Sequence, residues 1–212
     1  MTRAYQEIYL SKAQSVIGDA FDYAVNTCGI IGTDFVKLFI ASSVSKRMEN
    51  GEPAYLAGKS GIEIVREIVA ETKGQELQIE PQEHFGRSKE YWIGWAIAYY
   101  QWYSGRKYSD IFKVLSFEDL QMMYYTLHEA DITKFVTSVD YIIDSYYEQT
   151  ALTRMRNNMG ISQLELANRS GVNVRVIQSY EQKIRNINKA QLSTVANLAK
   201  ALDCSPLDLM EQ

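Results

Sequence analysis

Cysteine and histidine are scarce in this 212-residue sequence, which has two of each. Cys28 and Cys204 are far apart, and neither stands at the spacing of a metal-binding pair, so a disulfide scaffold or a zinc site has little support. His84 and His128 are equally isolated, and the second histidine that a zinc-protease helix requires after His128-Glu129 is missing. We therefore expect inert thiols, histidines in surface or capping roles, no bound metal and no cofactor.

The sequence also lacks a long apolar run. The longest such run, residues 91–100, is about half the length of a transmembrane helix. The first residues contain no apolar core of a secretory signal. The composition, 46% hydrophobic and 23% charged, is ordinary for a soluble globular protein. We expect a cytoplasmic protein that does not enter a membrane.

Sequence motifs of enzymes are missing as well. The segment Gly58-Lys59-Ser60 ends like a phosphate-binding loop, but Pro53 occupies the position of the first glycine, and the preceding segment is helical. Ser60 followed by Glu63 has instead the spacing of a helix-capping box. The sequence contains no nucleophile elbow, paired-carboxylate motif or dinucleotide fingerprint. We therefore predict that the protein is not an enzyme.

Charge divides the chain into two parts. Residues 150–212 hold eight Lys or Arg against five Asp or Glu, a net charge of +3, whereas residues 1–149 hold fourteen against twenty-one, a net charge of −7. Only the C-terminal part can therefore attract a polyanion. We predict an N-terminal regulatory or partner-binding domain, residues 1–149, and a basic C-terminal domain, residues 150–212.

The N-terminal part is predicted to be helical throughout, because apolar residues repeat every three or four positions. Residues 91–103 are apolar nearly all round and include all three tryptophans, which predicts a buried central helix; a ligand pocket or a partner groove is the alternative. A loop is expected over 51–60 and an irregular segment over 74–87. The other helices are expected at about residues 5–29, 34–50, 62–71, 117–128 and 132–149.

Five short helices are predicted between residues 152 and 209. Gly160 ends the first of them. Ser162 and Glu165 have the spacing of a capping box, which begins the second helix, and Gly171 ends it. The fourth and fifth helices follow, the fifth beginning with a cap and a proline in its first turn. We expect inward-facing residues at Leu164 and Ala167, flanked by Leu166, and at Leu192, Val195, Ala196, Ala199 and Leu202.

The third helix, about residues 174–182, begins after Asn173, a favourable N-cap. Its helical spacing places Ile177 and Tyr180 on one face. Its other faces are free to contact a ligand, and they carry Val174, Arg175, Gln178 and Ser179.

The order of these motifs carries a family resemblance. The motifs are Gly160-Ile-Ser-Gln-Leu-Glu-Leu-Ala167, Ser170-Gly171-Val172, Ile177 with Tyr180-Glu181, and Ala196-Asn-Leu-Ala-Lys-Ala-Leu202. Together they resemble the Cro/CI-type (Xre) phage-repressor family. The resemblance covers less than a third of the chain. The resemblance implies an all-α protein with a five-helix, lambda-repressor-like DNA-binding domain. Its second and third helices would form the helix-turn-helix, the third lying in the major groove of double-stranded operator DNA.

The resemblance also implies roles for single residues. Gln163 matches a residue that reaches a phosphate or a base edge, and the groove-facing set begins at Asn173. Arg175 is the expected base reader, because a guanidinium can bond guanine O6 and N7 together. Val174 offers only apolar contact. The expected DNA-binding residues are Gln163, Asn173, Val174, Arg175, Gln178, Ser179, Lys183 and Arg185.

Other positions bear on the structure of this domain. Arg156 and Glu181 match a structural ion pair between the first helix and the end of the third. Lys183 stands where a glycine is usual in the family, and Ile187 where proline is common. Because a positive φ would strain a lysine, we expect the loop before the fourth helix to be reshaped. Lys183 and Arg185 are the candidate phosphate contacts of this loop.

The N-terminal part resembles the leader domains of uncharacterised Xre regulators found beside candidate toxin genes. This similarity favours the antitoxin and autoregulator of a toxin-antitoxin pair. From the helix-turn-helix we predict a homodimeric transcriptional regulator, a repressor rather than an activator. The alternatives are a metabolite-sensing regulator and an interaction module with a vestigial helix-turn-helix. A toxin partner predicts a face, among acidic residues, that exposes several of Tyr99, Tyr100, Tyr103 and Tyr108. A small-molecule effector predicts an aromatic cavity of some 300–1,000 Å³ in the N-terminal domain.

Overall fold

The computed structural model describes residues 3–81 and 86–211, and the regular elements within these ranges are all helical. The predicted all-α fold is confirmed. No helix within these ranges is long and apolar enough to cross a membrane. The chain divides into two compact units, Met1–Asp140 and Tyr141–Gln212. His84 and part of the segment predicted to be irregular lie outside the described residues.

The described part of the first unit contains eight α-helices and three shorter helical turns. A 3₁₀ turn, Glu7–Tyr9, precedes the first helix, and π-helical turns lie at Tyr23–Thr27 and Ala54–Gly58. The helix Ile132–Glu148 contains the boundary between the two units. The helices are α1 (Leu10–Asp22), α2 (Gly32–Ala41), α3 (Ser43–Glu49), α4 (Gly61–Lys73), α5 (Lys89–Ser104), α6 (Tyr108–Val114), α7 (Phe117–Leu127) and α8 (Ile132–Glu148).

Helix α5 is the centre of the first unit, and its main partner is α1. Gly94 permits their close approach, since a Cβ atom at this position would lie 2.5 Å from the Ile17 carbonyl oxygen. Gly18 does the same from α1, where a Cβ atom would lie 2.8 Å from the Tyr91 ring. The prediction of a buried central helix over residues 91–103 is confirmed, because most of its side chains are buried.

Three segments of the first unit differ from the prediction. The helix predicted over 34–50 is two helices, because Ser42 has extended backbone with φ −76° and ψ 163°. The Ser42 hydroxyl donates to the Phe39 carbonyl at 2.7 Å, a local bond that competes with helix continuation. The loop predicted over 51–60 contains a π-helical turn. Helix α6 has seven residues, too few for helical periodicity to be evident in the sequence.

Helix starts follow the capping signals in the sequence. The Ser60 hydroxyl accepts a hydrogen bond from the Glu63 N–H, and the Glu63 carboxylate accepts one from the Ser60 N–H at 2.8 Å. Ser116 and Asp119 form the same reciprocal pair at α7. Ser60 is therefore a helix cap, as predicted.

Of the four tyrosines proposed for a face that binds a protein partner, two do not reach the surface. Tyr100 and Tyr108 are buried, whereas Tyr99 and Tyr103 are partly exposed. The Tyr100 hydroxyl donates to the Asp140 carboxylate at 2.7 Å. Residues four apart on a helix share a face, but Tyr100 lies one position beyond Tyr99, so the two rings point in different directions.

The second unit contains the C-terminal helices around their own core. Its fifth predicted helix is a single 3₁₀ turn, Pro206–Leu209, capped by Ser205. The α-helices are α9 (Ala151–Asn158), α10 (Gln163–Ser170), α11 (Val174–Glu181) and α12 (Leu192–Ala201). The core consists of Leu152, Leu166, Ile177, Tyr180, Ile187, Val195, Leu198, Ala199, Leu202 and Leu209.

Two helices of the second unit turn different residues inward than predicted. In α10, Leu166 is buried and Leu164 is exposed. In α12, Leu198 is buried, whereas Leu192 and Ala196 are exposed. Helices of eight and ten residues allow more than one apolar stripe at helical spacing. The packing of α10 against both α11 and α12 selects the stripe that is buried.

Candidate nucleic-acid interface

Helices α10 and α11 are joined by a tight turn. Gly171 has φ +69°, the left-handed region that glycine enters without strain, and its N–H donates to the Ala167 carbonyl at 2.9 Å. Asn173 then caps α11, since its side-chain oxygen accepts a hydrogen bond from the Arg175 N–H at 2.9 Å. Both helix ends at the turn are therefore fixed by local bonds.

The start of α10 is capped in a simpler way than predicted. The Ser162 hydroxyl accepts a hydrogen bond from the Glu165 N–H at 3.1 Å. The Glu165 carboxylate does not complete the capping box, because it accepts a hydrogen bond from Arg169 Nε at 2.8 Å, one turn further along the helix. Arg169 is thus engaged within α10.

An ion pair ties the first helix of this domain to the end of α11. Arg156 Nε and Nη2 donate to the two carboxylate oxygens of Glu181 at 2.7 and 2.9 Å. Arg156 Nη1 donates to the Ile161 carbonyl at 2.9 Å. The hydrogen bonds with Glu181 raise the pKa of Arg156, so the guanidinium stays charged. This bidentate geometry gives both strength and a fixed orientation.

Gln163 extends this network, which sequence reasoning did not foresee. Its Nε2 donates to Glu181 Oε2 at 2.8 Å, and its Oε1 accepts a hydrogen bond from Gln178 Nε2 at 3.3 Å. An amide has two donors and two acceptor sites, so one N–H and one lone pair of Gln163 are left for a ligand. The residue proposed to reach a phosphate or base is therefore positioned by α11.

The outward face of α11 carries the proposed base-reading residues. Ile177 and Tyr180 are buried, as predicted, which directs the opposite face to solvent. Arg175 is exposed in the first turn of the helix. The Ser179 hydroxyl donates to the Val176 carbonyl at 2.7 Å, which leaves its oxygen as an acceptor. The remaining outward positions are partly exposed: Val174, Gln178 and Ser179.

The loop after α11 keeps a left-handed residue in spite of its sequence. Lys183 has φ +58°, a conformation that costs a non-glycine residue about 1–2 kcal/mol. Its N–H donates to the Tyr180 carbonyl at 3.0 Å, and the Arg185 N–H donates to the Ser179 carbonyl at 3.0 Å. The expected reshaping of the backbone at Lys183 is therefore wrong, because these bonds hold the strained residue in place.

Replacing Lys183 with glycine is expected to raise the free energy of unfolding of this domain by about 0.5–1 kcal/mol. The strain is relieved, although the greater freedom of glycine in the unfolded chain offsets part of the gain. Urea denaturation measures the change. Lys189→Gly, at a residue without positive φ, is the control and is expected to be destabilising. A loss of stability in Lys183→Gly would contradict the strain argument.

Basic side chains gather in the same loop. Lys183 and Arg185 are exposed, and so is Lys189 in the following 3₁₀ turn. Arg185 and Lys189 line a groove of about 510 Å³ beside α11. Lys189 was missed by sequence reasoning, although it shares a short loop with the two predicted phosphate contacts. All three belong to the candidate phosphate-contacting set.

The two cysteines and His128 are in structural positions. Cys28 and Cys204 are free and partly buried. Burial is the main cause that raises the pKa of each thiol, which disfavours the reactive thiolate. His128 follows α7, and its Nδ1 donates to the Tyr124 carbonyl at 2.8 Å. The part of the chain that the structure describes has no group of three or more metal-ligating side chains.

Comparison with protein families agrees with this geometry. Residues 152–209 match the helix-turn-helix family model of the Cro/CI (Xre) type. Comparison with curated proteins and with solved structures gave no match. The resemblance stated for the C-terminal third is confirmed. The match supports a DNA-binding regulator of the Xre type, from a family that is not typically enzymatic.

Proposed function

We propose that this protein is a transcriptional repressor that binds operator DNA as a homodimer, with α11 as the recognition helix. The observation that carries the proposal is the exposed Arg175 in the first turn of α11. The turn before it is fixed by Asn173, and the far end of the helix is fixed by Arg156 and Glu181. A base-reading side chain on a rigid helix is what specific readout requires.

Two kinds of contact follow from the positions of the residues. Arg175, with Asn173, Val174, Gln178 and Ser179, lies on the face of α11 that would enter the major groove. The candidate phosphate contacts lie in the following loop and would fix the position of the helix without reading sequence. They are Lys183, Arg185 and Lys189.

Replacing Arg175 with alanine is expected to reduce preference for the operator over a scrambled duplex about 5- to 150-fold, the equivalent of 1–3 kcal/mol. Arg185→Ala is the matched control, since it removes the same charge from the loop. This variant is expected to weaken binding to both duplexes by the same factor. It is also expected to reduce the slope of log affinity against log salt concentration by about 1. Fluorescence anisotropy over a salt series with fragments of the protein's own promoter measures both quantities.

The two variants also test the competing interpretation. If the intact protein shows no salt-sensitive binding to any of these fragments, the helix-turn-helix is vestigial and the protein is an interaction module. If Arg175→Ala and Arg185→Ala change affinity in the same uniform way, Arg175 contacts phosphate and not a base.

The proposed dimer follows from the size of the reading helix. One recognition helix covers too few base pairs for useful specificity, and two helices about 34 Å apart can read two half-sites. We propose that the N-terminal domain, residues 1–149, carries the dimer contact. Sedimentation at micromolar concentration tests this, and a monomer both free and on DNA would contradict it. A dimer formed only by residues 150–212 would contradict the assigned surface.

A second candidate role is that of an antitoxin, which needs a surface for a protein partner. Helix α7 exposes Glu118, Met122 and Tyr125 at helical spacing. The net negative charge of residues 1–149 favours a basic partner. Exposed methionine and tyrosine side chains suit the core of a protein interface. Co-expression with the product of the neighbouring gene tests the role. Failure to co-purify and to relieve toxicity would end it.

A further inference from the structure

A small pocket opens in the first unit between the start of α5 and the end of α7. Its volume is about 300 Å³, at the lower end of the range for small-molecule sites. Ten of the described residues line it, four of them tyrosine or tryptophan, and Arg87 and His128 are also among the lining residues. The aromatic residues are Tyr91, Trp92, Trp95 and Tyr124.

The aromatic wall is held by contacts behind it. The Trp92 ring meets Tyr124 and Phe135 edge to face, with centroid distances of 5.6 and 5.5 Å. His128 stacks on Tyr124 at 4.4 Å, and its Nδ1 donates to the Tyr124 carbonyl. The rings are therefore oriented before any ligand arrives, which lowers the entropic cost of binding.

The polar groups of the pocket differ in how far they are engaged. The Ser88 hydroxyl makes two hydrogen bonds, since it accepts one from the Tyr91 N–H, which caps α5, and donates one to Asp22. Within the described residues, the indole N–H groups of Trp92 and Trp95 have no hydrogen-bond acceptor. The wall thus offers these indole donors, together with the Tyr91 and Tyr124 hydroxyls, which can donate or accept.

Charge decides which ligand suits these aromatic rings. Tryptophan and tyrosine faces can hold a cation, but the Arg87 guanidinium already lies over Tyr91 at 4.7 Å and would repel a second one. The described residues that line the pocket include no carboxylate. Asp19, a part-buried carboxyl group of α1, is also attracted to Arg87 but lies outside the lining.

We propose that this pocket binds a small planar aromatic molecule that carries an anionic group such as a carboxylate. The ring system would stack among Trp92, Trp95 and Tyr124, and the anionic group would accept hydrogen bonds from Arg87. The volume limits the ligand to one or two fused rings. The proposal is independent of DNA binding, so the failure of either leaves the other standing.

The three tryptophans provide the test, because only Trp92 and Trp95 line the pocket. Trp102 is buried, and its Nε1 donates to the Tyr5 carbonyl at 3.0 Å. We would titrate the full-length protein with 1-naphthoate and follow the three indole N–H signals by ¹H–¹⁵N NMR, assigned with single Trp→Phe variants. The Trp92 and Trp95 signals are expected to shift saturably, while the Trp102 signal stays in place.

Matched probes and variants test the role of charge. Neutral 1-naphthalenemethanol is expected to bind about tenfold more weakly than 1-naphthoate, because it loses one charge-assisted hydrogen bond. Arg87→Gln should abolish this difference. Arg3→Gln should preserve it, since the Arg3 guanidinium also lies over aromatic rings, at 4.5 Å from Trp102, but outside the pocket.

Three results would overturn the proposal. The first is the absence of saturable shifts at Trp92 and Trp95 with 1-naphthoate. The second is tighter binding of 1-naphthylmethylamine, which would make the pocket a cation site. The third is an equal loss of affinity in Arg87→Gln and Arg3→Gln, which would mean that Arg87 does not contact the ligand.

Discussion

Replacing Arg156 with alanine is expected to lower the free energy of unfolding of the helix-turn-helix domain by about 3–5 kcal/mol. Glu181, whose side chain is 5% exposed, would lose both of its guanidinium hydrogen bonds and its cationic partner in a buried position. The Ile161 carbonyl would lose a donor as well. Gln163 alone would still bind Glu181, and a single neutral amide does not replace a bidentate cation.

A second arginine pair in the same domain gives the control. Arg169 and Glu165 form an ion pair in which both side chains are 45% exposed, so Arg169→Ala should cost less than about 1 kcal/mol. Hydrogen exchange of peptides from residues 152–209 at increasing urea concentration measures both variants within the intact chain. Equal losses in the two variants would contradict a dominant role for Arg156. DNA binding lost in Arg156→Ala would report unfolding and not a missing contact.

Replacing Gly94 with alanine is expected to destabilise the first unit by about 3 kcal/mol, the upper end for overpacking in a core. The new Cβ atom would lie 2.5 Å from the Ile17 carbonyl oxygen and 2.9 Å from its carbonyl carbon. These are backbone atoms of α1, so no side-chain rotation relieves the contact and the two helices must move apart.

Tryptophan fluorescence during urea denaturation reports this loss, because Trp92, Trp95 and Trp102 all lie in α5. Gly58→Ala is the matched control, since the nearest atoms to its Cβ lie 3.8 and 3.9 Å away. Its effect should stay within about 0.5 kcal/mol. If Gly94→Ala is as stable as Gly58→Ala, then Gly94 does not set the distance between α1 and α5.

Local signals in the sequence predicted the helix starts because a cap is a bond between residues two or three positions apart. Ser60 and Asn173 both cap helices in the structure, as predicted. Ser162 and Glu165 have the spacing of a capping box, but the Glu165 carboxylate has two possible partners within about one turn, the Ser162 N–H and Arg169, and it binds Arg169. The choice between such partners depends on small differences in geometry that spacing alone does not contain.

The candidate site was predictable in outline but not in its connections. Arg175 was expected on the outward face of α11 because Ile177 and Tyr180 define the inward face. The bonds from Gln163 to Glu181 and Gln178 were not expected, since they depend on how α10 meets α11. Gln163, which was predicted to contact DNA, is therefore also part of the hydrogen-bond network that holds α11 in position.

The sequence by itself determined the all-α class, most helix boundaries and the helix-turn-helix at residues 152–209, because caps, glycine turns and apolar periodicity are short-range properties. Only the tertiary structure decided that Leu166 and not Leu164 is buried, and that Tyr100 points into the core. It also decided that Lys183 keeps a positive φ. These outcomes depend on packing between segments distant in the chain, where shape and hydrogen-bond partners select among alternatives that local spacing leaves equal.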